Sequence, residues 1–239
     1  MRLLGSRSGV LVMQWFACPT GEALRLRTKP EVDQWETASH PAKVRLEAYL
    51  DDTEDLVGET RIDGPWALRL DIGVPTGKDL LDKSDLDNYA KPLARRLGND
   101  QLVSVWCTKA HNEASFIRIE PARERPAPVG GFVVAAPVAG WDRPDHLYHQ
   151  QIHQVVAAAI APLPIKRAVR LELAFVMPPS WQWWNFWKPT IDGLVHVLGH
   201  SGSGKEWDPL DGRITELGMH RSSDSSAHQV VVGITATVL

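Results

Sequence analysis

An α/β (mixed α+β) fold made of two tandem, diverged copies of one module is predicted by three observations in the 239-residue sequence. Two stretches of strand periodicity match conservatively along their length, Ala67-Leu-Arg-Leu-Asp-Ile-Gly73 and Ala168-Val-Arg-Leu-Glu-Leu-Ala174. Two later stretches share Asn, an aromatic residue, Lys and Pro at one spacing, Asn88-Tyr-Ala-Lys-Pro92 and Asn185-Phe-Trp-Lys-Pro189. The order helix, strand, helix, strand, strand recurs around both, which is the pattern of a duplicated unit.

In the first copy a helix starts near Pro41, a favoured first-turn residue, with Ala42, Leu46, Tyr49 and Leu50 on one face. Its counterpart carries Ile152, Val155, Val156, Ala159 and Ile160 at helical spacing. The matched strands follow, then the Asn-aromatic-Lys-Pro helices, which end at Gly98 and Gly199, where left-handed C-terminal caps are expected. Asp100-Gln-Leu-Val-Ser and Asp211-Gly-Arg-Ile-Thr open the next strands, and the last strands fall near Ala114–Glu120 and Gln229–Leu239. The Pro-, Gly- and charge-rich run 121–131 reads as an exposed linker, dividing the chain into modules 1–126 and 127–239. Each module is expected to hold its own small mixed sheet with helices, the two associating about a pseudo-two-fold axis as a pseudo-dimer.

With 44% hydrophobic and 23% charged residues, the composition is that of a folded, soluble chain with a sizeable core. No run approaches the roughly 20 apolar residues that span a bilayer, and the N-terminal apolar stretch reads as structural, so a cytoplasmic protein with no membrane partner is expected. Cys18 and Cys107 lack disulfide-framework or zinc spacing and read as buried thiols. A net charge of -3 argues against gripping DNA mainly through phosphates, yet five carboxylates are bunched between Asp51 and Thr60, a run that reads as a solvated loop.

Asp85, Asp87 and Asn88 stand at the start of a helix, Lys91 one turn beyond Asp87, and Asp100 at the helix's far end. Three converging carboxylates suit a hard cation such as Mg²⁺, which is often completed by a substrate phosphate, and a lysine adds fixed positive charge. The same spacings fit equally an N-cap, an i,i+4 ion pair and a turn aspartate. The segment SDLDNYAKPLARRLGNDQLVSVWCTK, residues 84–109, resembles the signature of the RusA-type Holliday junction resolvases: Asp-x-Asp-Asn-x-x-Lys, a helix, another aspartate and a strand closing in lysine. That family is homodimeric and cuts branched DNA symmetrically with Mg²⁺ or Mn²⁺. The resemblance implies a structure-selective DNA endonuclease here, with Asp85, Asp87 and Asp100 as metal ligands and Lys91 completing the catalytic set. Lys83, Asn88, Arg95, Lys109 and Lys188 become the candidate DNA contacts.

Asn99 departs from the family, which often has a second aspartate there, and the second copy has Gln182 and Trp184 opposite Asp85 and Asp87. One active site per chain follows, whether the chain stays a monomeric pseudo-dimer or forms a higher oligomer. The alternative is an inactive DNA- or protein-binding subunit on the same scaffold. Residues 199–205 imitate part of a phosphate-binding loop, but Glu206 replaces the hydroxyl residue and a helix precedes it. His146, His149 and His153 share a helix face without a carboxylate to complete a metal site. Trp181, Trp183, Trp184 and Trp187 crowd seven residues, suiting internal packing, stacking on unpaired bases or a protein partner.

Overall fold

A computed structural model describes residues 13–32, 40–58, 60, 62–81, 85–136, 144, 146–164, 166–202 and 204–239. Its centre is one mixed sheet of eight strands: β2 (Leu24–Arg25), β3 (Trp66–Val74), β4 (Leu102–His111), β5 (Phe116–Pro121), β7 (Phe132–Ala136), β8 (Val169–Met177), β9 (Ile214–Ser223) and β10 (Val230–Val238). The spatial order is β2-β5-β3-β4-β9-β8-β10-β7. β3 runs parallel to β4 and β8 parallel to β9, each pair with one register slip at its start; the other neighbours are antiparallel. Read inward from either edge, the strand directions repeat.

The expectation of a separate small sheet in each half is corrected here. β4 and β9 pair from Ser104↔His220 to Thr108↔Glu216 and make the sheet continuous. Both strands are buried over most of their length, so leaving either as an edge would strand backbone N–H and C=O groups away from water. The expected linker is also ordered in part: β6 (Glu124–Arg125) pairs antiparallel with β1 (Trp15–Phe16).

Among the described residues five α-helices accompany the sheet: α1 (Pro41–Val57), α2 (Leu86–Leu97), α3 (His146–Ala159), α4 (Trp187–Asp192) and α5 (Val195–Leu198). α1 starts at Pro41, with His40 Nδ1 accepting from the Ala42 N–H at 3.3 Å. It buries Ala42, Leu46, Tyr49 and Leu50 as their spacing requires, and continues through Val57. The acidic bunch is therefore largely the end of a helix rather than a loop. Arg96 of α2 holds its outer side, pairing with Asp51, with Glu47 at 3.2 Å and with Glu54 at 3.5 Å. α2 lies over β4 and β9, the two central strands, and touches a 3₁₀ turn at Trp183–Asn185. Gly98 ends α2 in extended backbone (φ −70°, ψ 140°), not the expected left-handed cap. A side chain there would sit 2.1 Å from the Ala94 carbonyl oxygen.

Alternation along β9 divides the two faces. Leu217 and Met219 join the apolar core with Leu93, Tyr49 and Trp187. His220 lies on the other side, ringed by Trp15, Phe16 and Trp106 at centroid distances of 5.6, 6.0 and 5.5 Å. Among the described residues no helix is long and apolar enough to cross a membrane.

Candidate functional site

Asp85 is the residue before the first turn of α2, and Asp87 lies within that turn, almost completely buried. α2 begins at the end of the sheet where β3 and β4 finish and β9 starts. That end brings in three side chains from far along the sequence: Lys188 and Asp192, one turn apart on α4, and Asp211 from a 3₁₀ turn just before β9. Lys188 Nζ sits among them, 2.5 Å from Asp211 Oδ2, 3.1 Å from Asp192 Oδ1 and 3.8 Å from Asp85 Oδ2. Lys109, near the end of strand β4, donates from Nζ to the Gly212 carbonyl beside Asp211. Asn88 Nδ2 donates to Asp85 Oδ2 at 3.2 Å, which orients that carboxylate.

Four carboxylates and two ammonium groups leave a surplus of two negative charges when all are ionised. Burial and this surplus together raise their proton affinities. Burial first, then the Asp211 carboxylate and Asp87, push Asp85 up to about 7 against the pull of Lys188. Burial raises Asp87 to about 6, with Lys188 opposing and Asp211 and Asp192 adding to the rise. Asp192 is likewise raised to about 6 by burial, with Lys188 resisting. Burial works to lower Lys188, but the fields of Asp87, Asp211 and Asp192 overcome it and hold the ammonium protonated. Lys109 is lowered by burial, partly offset by Asp85 and Asp211. Burial is the largest cause for all three acids, and the neighbouring carboxylates add to it.

The predicted residues separate. Asp85 and Asp87 come together; Asp100 does not join them. It is exposed beyond the C-terminal end of α2, whose twelve residues put about 18 Å of helix between it and Asp85. Its field instead reaches Arg221, at the end of β9. Lys91 is half-buried on α2, and the lysine acting most strongly on Asp85 and Asp87 is Lys188. Arg95 is exposed in the last turn of α2, Asn88 and Lys109 stand at the cluster, and Lys83 lies outside the described residues. The third acid is Asp211, from the second half of the chain, and Asp192 is a fourth that spacing within one segment could not have revealed.

Would a divalent cation fit? Asp192 Oδ1 is buried against Lys188 Nζ at 3.1 Å, and the surplus charge of the cluster is that of one such ion. The donors are hard oxygens. Among the described residues no three acidic, histidine or cysteine side chains already converge as a cage, and Lys188 Nζ fills the space between Asp211, Asp192 and Asp85. The oxygen chemistry fits Mg²⁺ or Mn²⁺, with Lys188 giving way or remaining as a neighbouring charge.

The remaining motifs are structural in their contacts. Trp183 and Trp187 are fully buried, edge to face at 4.9 Å, and Trp181 stacks on Phe186 at 6.0 Å; Trp184 is half-buried. His149 and His153 pack against Trp207 at 6.0 and 5.4 Å. Cys107 is buried and Cys18 half-buried, both free. No protein-family model matches this chain, and neither a curated protein nor a solved structure matches it.

Proposed function

We propose that the chain is a Mg²⁺- or Mn²⁺-dependent, structure-selective DNA endonuclease of the RusA-like kind, built from two fused copies of one module and carrying one active site. The observation that carries this reading is the surplus of carboxylate at Asp85, Asp87, Asp192 and Asp211, gathered around Lys188 at one end of the sheet. Asp85, Asp87 and Asp211 would hold the ion, with Asp192 beside them. A metal so bound lowers the pKa of a coordinated water and neutralises charge building on phosphorus. Asn88 orients the Asp85 carboxylate, while Lys188 and Lys109 place fixed positive charge where a phosphate would arrive. The recurrence of strand directions from both sheet edges supports the duplication.

A second reading is favoured by one observation. Lys188 already occupies the centre of the acids, as a built-in cation would in a scaffold that binds DNA or protein but has lost metal chemistry. The two separate on incubation of labelled junction, flap, linear duplex and single-stranded DNA with Mg²⁺ or Mn²⁺. Cleavage of branched DNA by wild type and its loss in Asp87→Asn supports the nuclease. Binding without cleavage under either metal supports the scaffold.

A further inference from the structure

A basic groove stands at the same end of the sheet. A groove of about 290 Å³ is walled on one side by Arg25, Leu26, Arg27, Thr28 and Lys29, and on the other by the β4–β5 turn, Asn112 to Ser115. Burial alternates along the first wall. Leu26 and Pro30 are buried, while Arg25, Arg27 and Lys29 are exposed. None of these three forms an ion pair within the described residues, and among the described lining residues Glu113 is the only acid, so the described lining carries a net charge of +2, with Asp52 held behind the wall by the Thr28 hydroxyl. This is the reverse of the chain's overall -3.

Gly73 and Pro75 complete the lining. A Cβ on Gly73 would lie 2.3 Å from the Ala114 carbonyl oxygen, so the glycine lets the β4–β5 turn close against β3 and shape the groove. The link to the acidic cluster is short. Ile72, next to Gly73, is the cross-strand partner of Lys109, and the loop leaving Pro75 carries Asp79 into the field of Lys109.

We infer that this groove holds the phosphodiester backbone of DNA next to the acidic cluster, with Arg25, Arg27 and Lys29 on successive phosphates. The choice of DNA as ligand rests on the nuclease reading; the groove's charge and shape do not. Three unpaired cations beside an acidic site overcome the repulsion that a net negative chain would otherwise offer a polyanion. They specify position along the backbone and not base sequence.

The test is the combined variant Arg25→Ala, Arg27→Ala, Lys29→Ala, read by anisotropy of a fluorescent four-way junction in EDTA across a salt series. The three side chains are exposed, and an unchanged melting temperature checks the fold. Each phosphate contact contributes about 0.9 to the slope of log affinity on log salt, so three lost contacts lower it by about 2.7. Between roughly 50 and 200 mM salt the variant should then lose affinity about 40-fold less steeply than wild type. The exchange Arg25→Lys, Arg27→Lys, Lys29→Arg should keep the slope. An unchanged slope in the alanine variant of a cleaving enzyme overturns the groove and leaves the nuclease standing. Wild-type binding that depends on the three cations, without cleavage under any metal, supports the groove and overturns the nuclease. A wild type that binds no DNA overturns both.

Discussion

Replacing Asp87 with Asn should make the metal-free protein more stable at neutral pH while abolishing cleavage. Asp87 is 2% exposed and its carboxyl is raised from about 3.8 to about 6. A group whose folded-state pKa lies above its unfolded one binds protons more tightly when folded, so it costs stability above the folded value and the cost vanishes below the unfolded one. The window runs from about pH 4 to pH 6, with the full penalty present at pH 7.5. At about 1.4 kcal/mol per tenfold change in proton affinity, ionised Asp87 costs on the order of 3 kcal/mol. Asn has nearly the same shape and no charge to desolvate. In a chain this long, about 3 kcal/mol is on the order of 6–12 °C in melting temperature. Thermal unfolding of both proteins without metal, at pH 4, 5, 6 and 7.5, should show curves that meet at the acid end and diverge upward. Millimolar Mg²⁺ should raise the wild type at pH 7.5 and leave the variant nearly unmoved. An Asp87→Asn protein less stable than wild type at pH 7.5, or a gap independent of pH, would refute the account of a surplus of buried carboxylate.

Asp211→Asn should remove cleavage as completely as Asp87→Asn, while Asp100→Asn should leave the single-turnover rate within about twofold, since Asp100 stands a helix length away. Lys188→Met should destabilise the metal-free protein at pH 7.5 by about 2–3 kcal/mol, below the usual cost of breaking a buried pair because the lysine is a third exposed, and Mg²⁺ should recover more stability there than in wild type; chemical denaturation with and without Mg²⁺ measures both. Trp187→Ala should cost about 3–5 kcal/mol by leaving a cavity against Trp183, whereas Trp184→Ala should unfold near the wild-type midpoint in urea.

Much of this fold could be read from local pattern. Leu68, Leu70 and Ile72 alternate with Arg69 and Asp71, and Leu46, Tyr49 and Leu50 recur at helical spacing, because each element buries one face and the side-chain period records it. The edge strands β2 and β7 leave no legible signal, since two to five residues do not establish a period. The joining of β4 to β9 is a matter of backbone pairing, to which side-chain pattern is blind. The site was half legible for a related reason. Asp85 and Asp87 share one helix start, whereas Asp211 reaches them only through the β4–β9 junction, more than a hundred residues further along.

That junction also changes which residues correspond. The slip at the start of β3–β4 follows Trp66↔Leu102, and the slip at the start of β8–β9 follows Val169↔Ile214. With Leu102 set opposite Ile214, the residue three places earlier is Asn99 in one half and Asp211 in the other, and the residue seven places later is Lys109 in one and Arg221 in the other. Spacing alone matches Asp211 with Asp100. On the duplication proposed above, the counterpart positions of the acidic cluster therefore hold Gln182 for Asp85, Trp184 for Asp87, Asn99 for Asp211, Arg95 for Asp192 and Arg221 for Lys109. On that duplication none of the four carboxylates has a carboxylate counterpart. Asn99 has taken a structural task, accepting from Trp66 Nε1 at 3.0 Å, and Arg221 donates to the Pro179 carbonyl at 2.7 Å. The proposed site draws Asp85 and Asp87 from one half and Asp192 and Asp211 from the other, so on that reading neither half would be competent alone and neither would be merely a remnant. On that reading, fusion is what permits this asymmetry. In a dimer of identical chains any loss at one site is a loss at both, but in one duplicated chain each half can keep only the residues that the single remaining site requires.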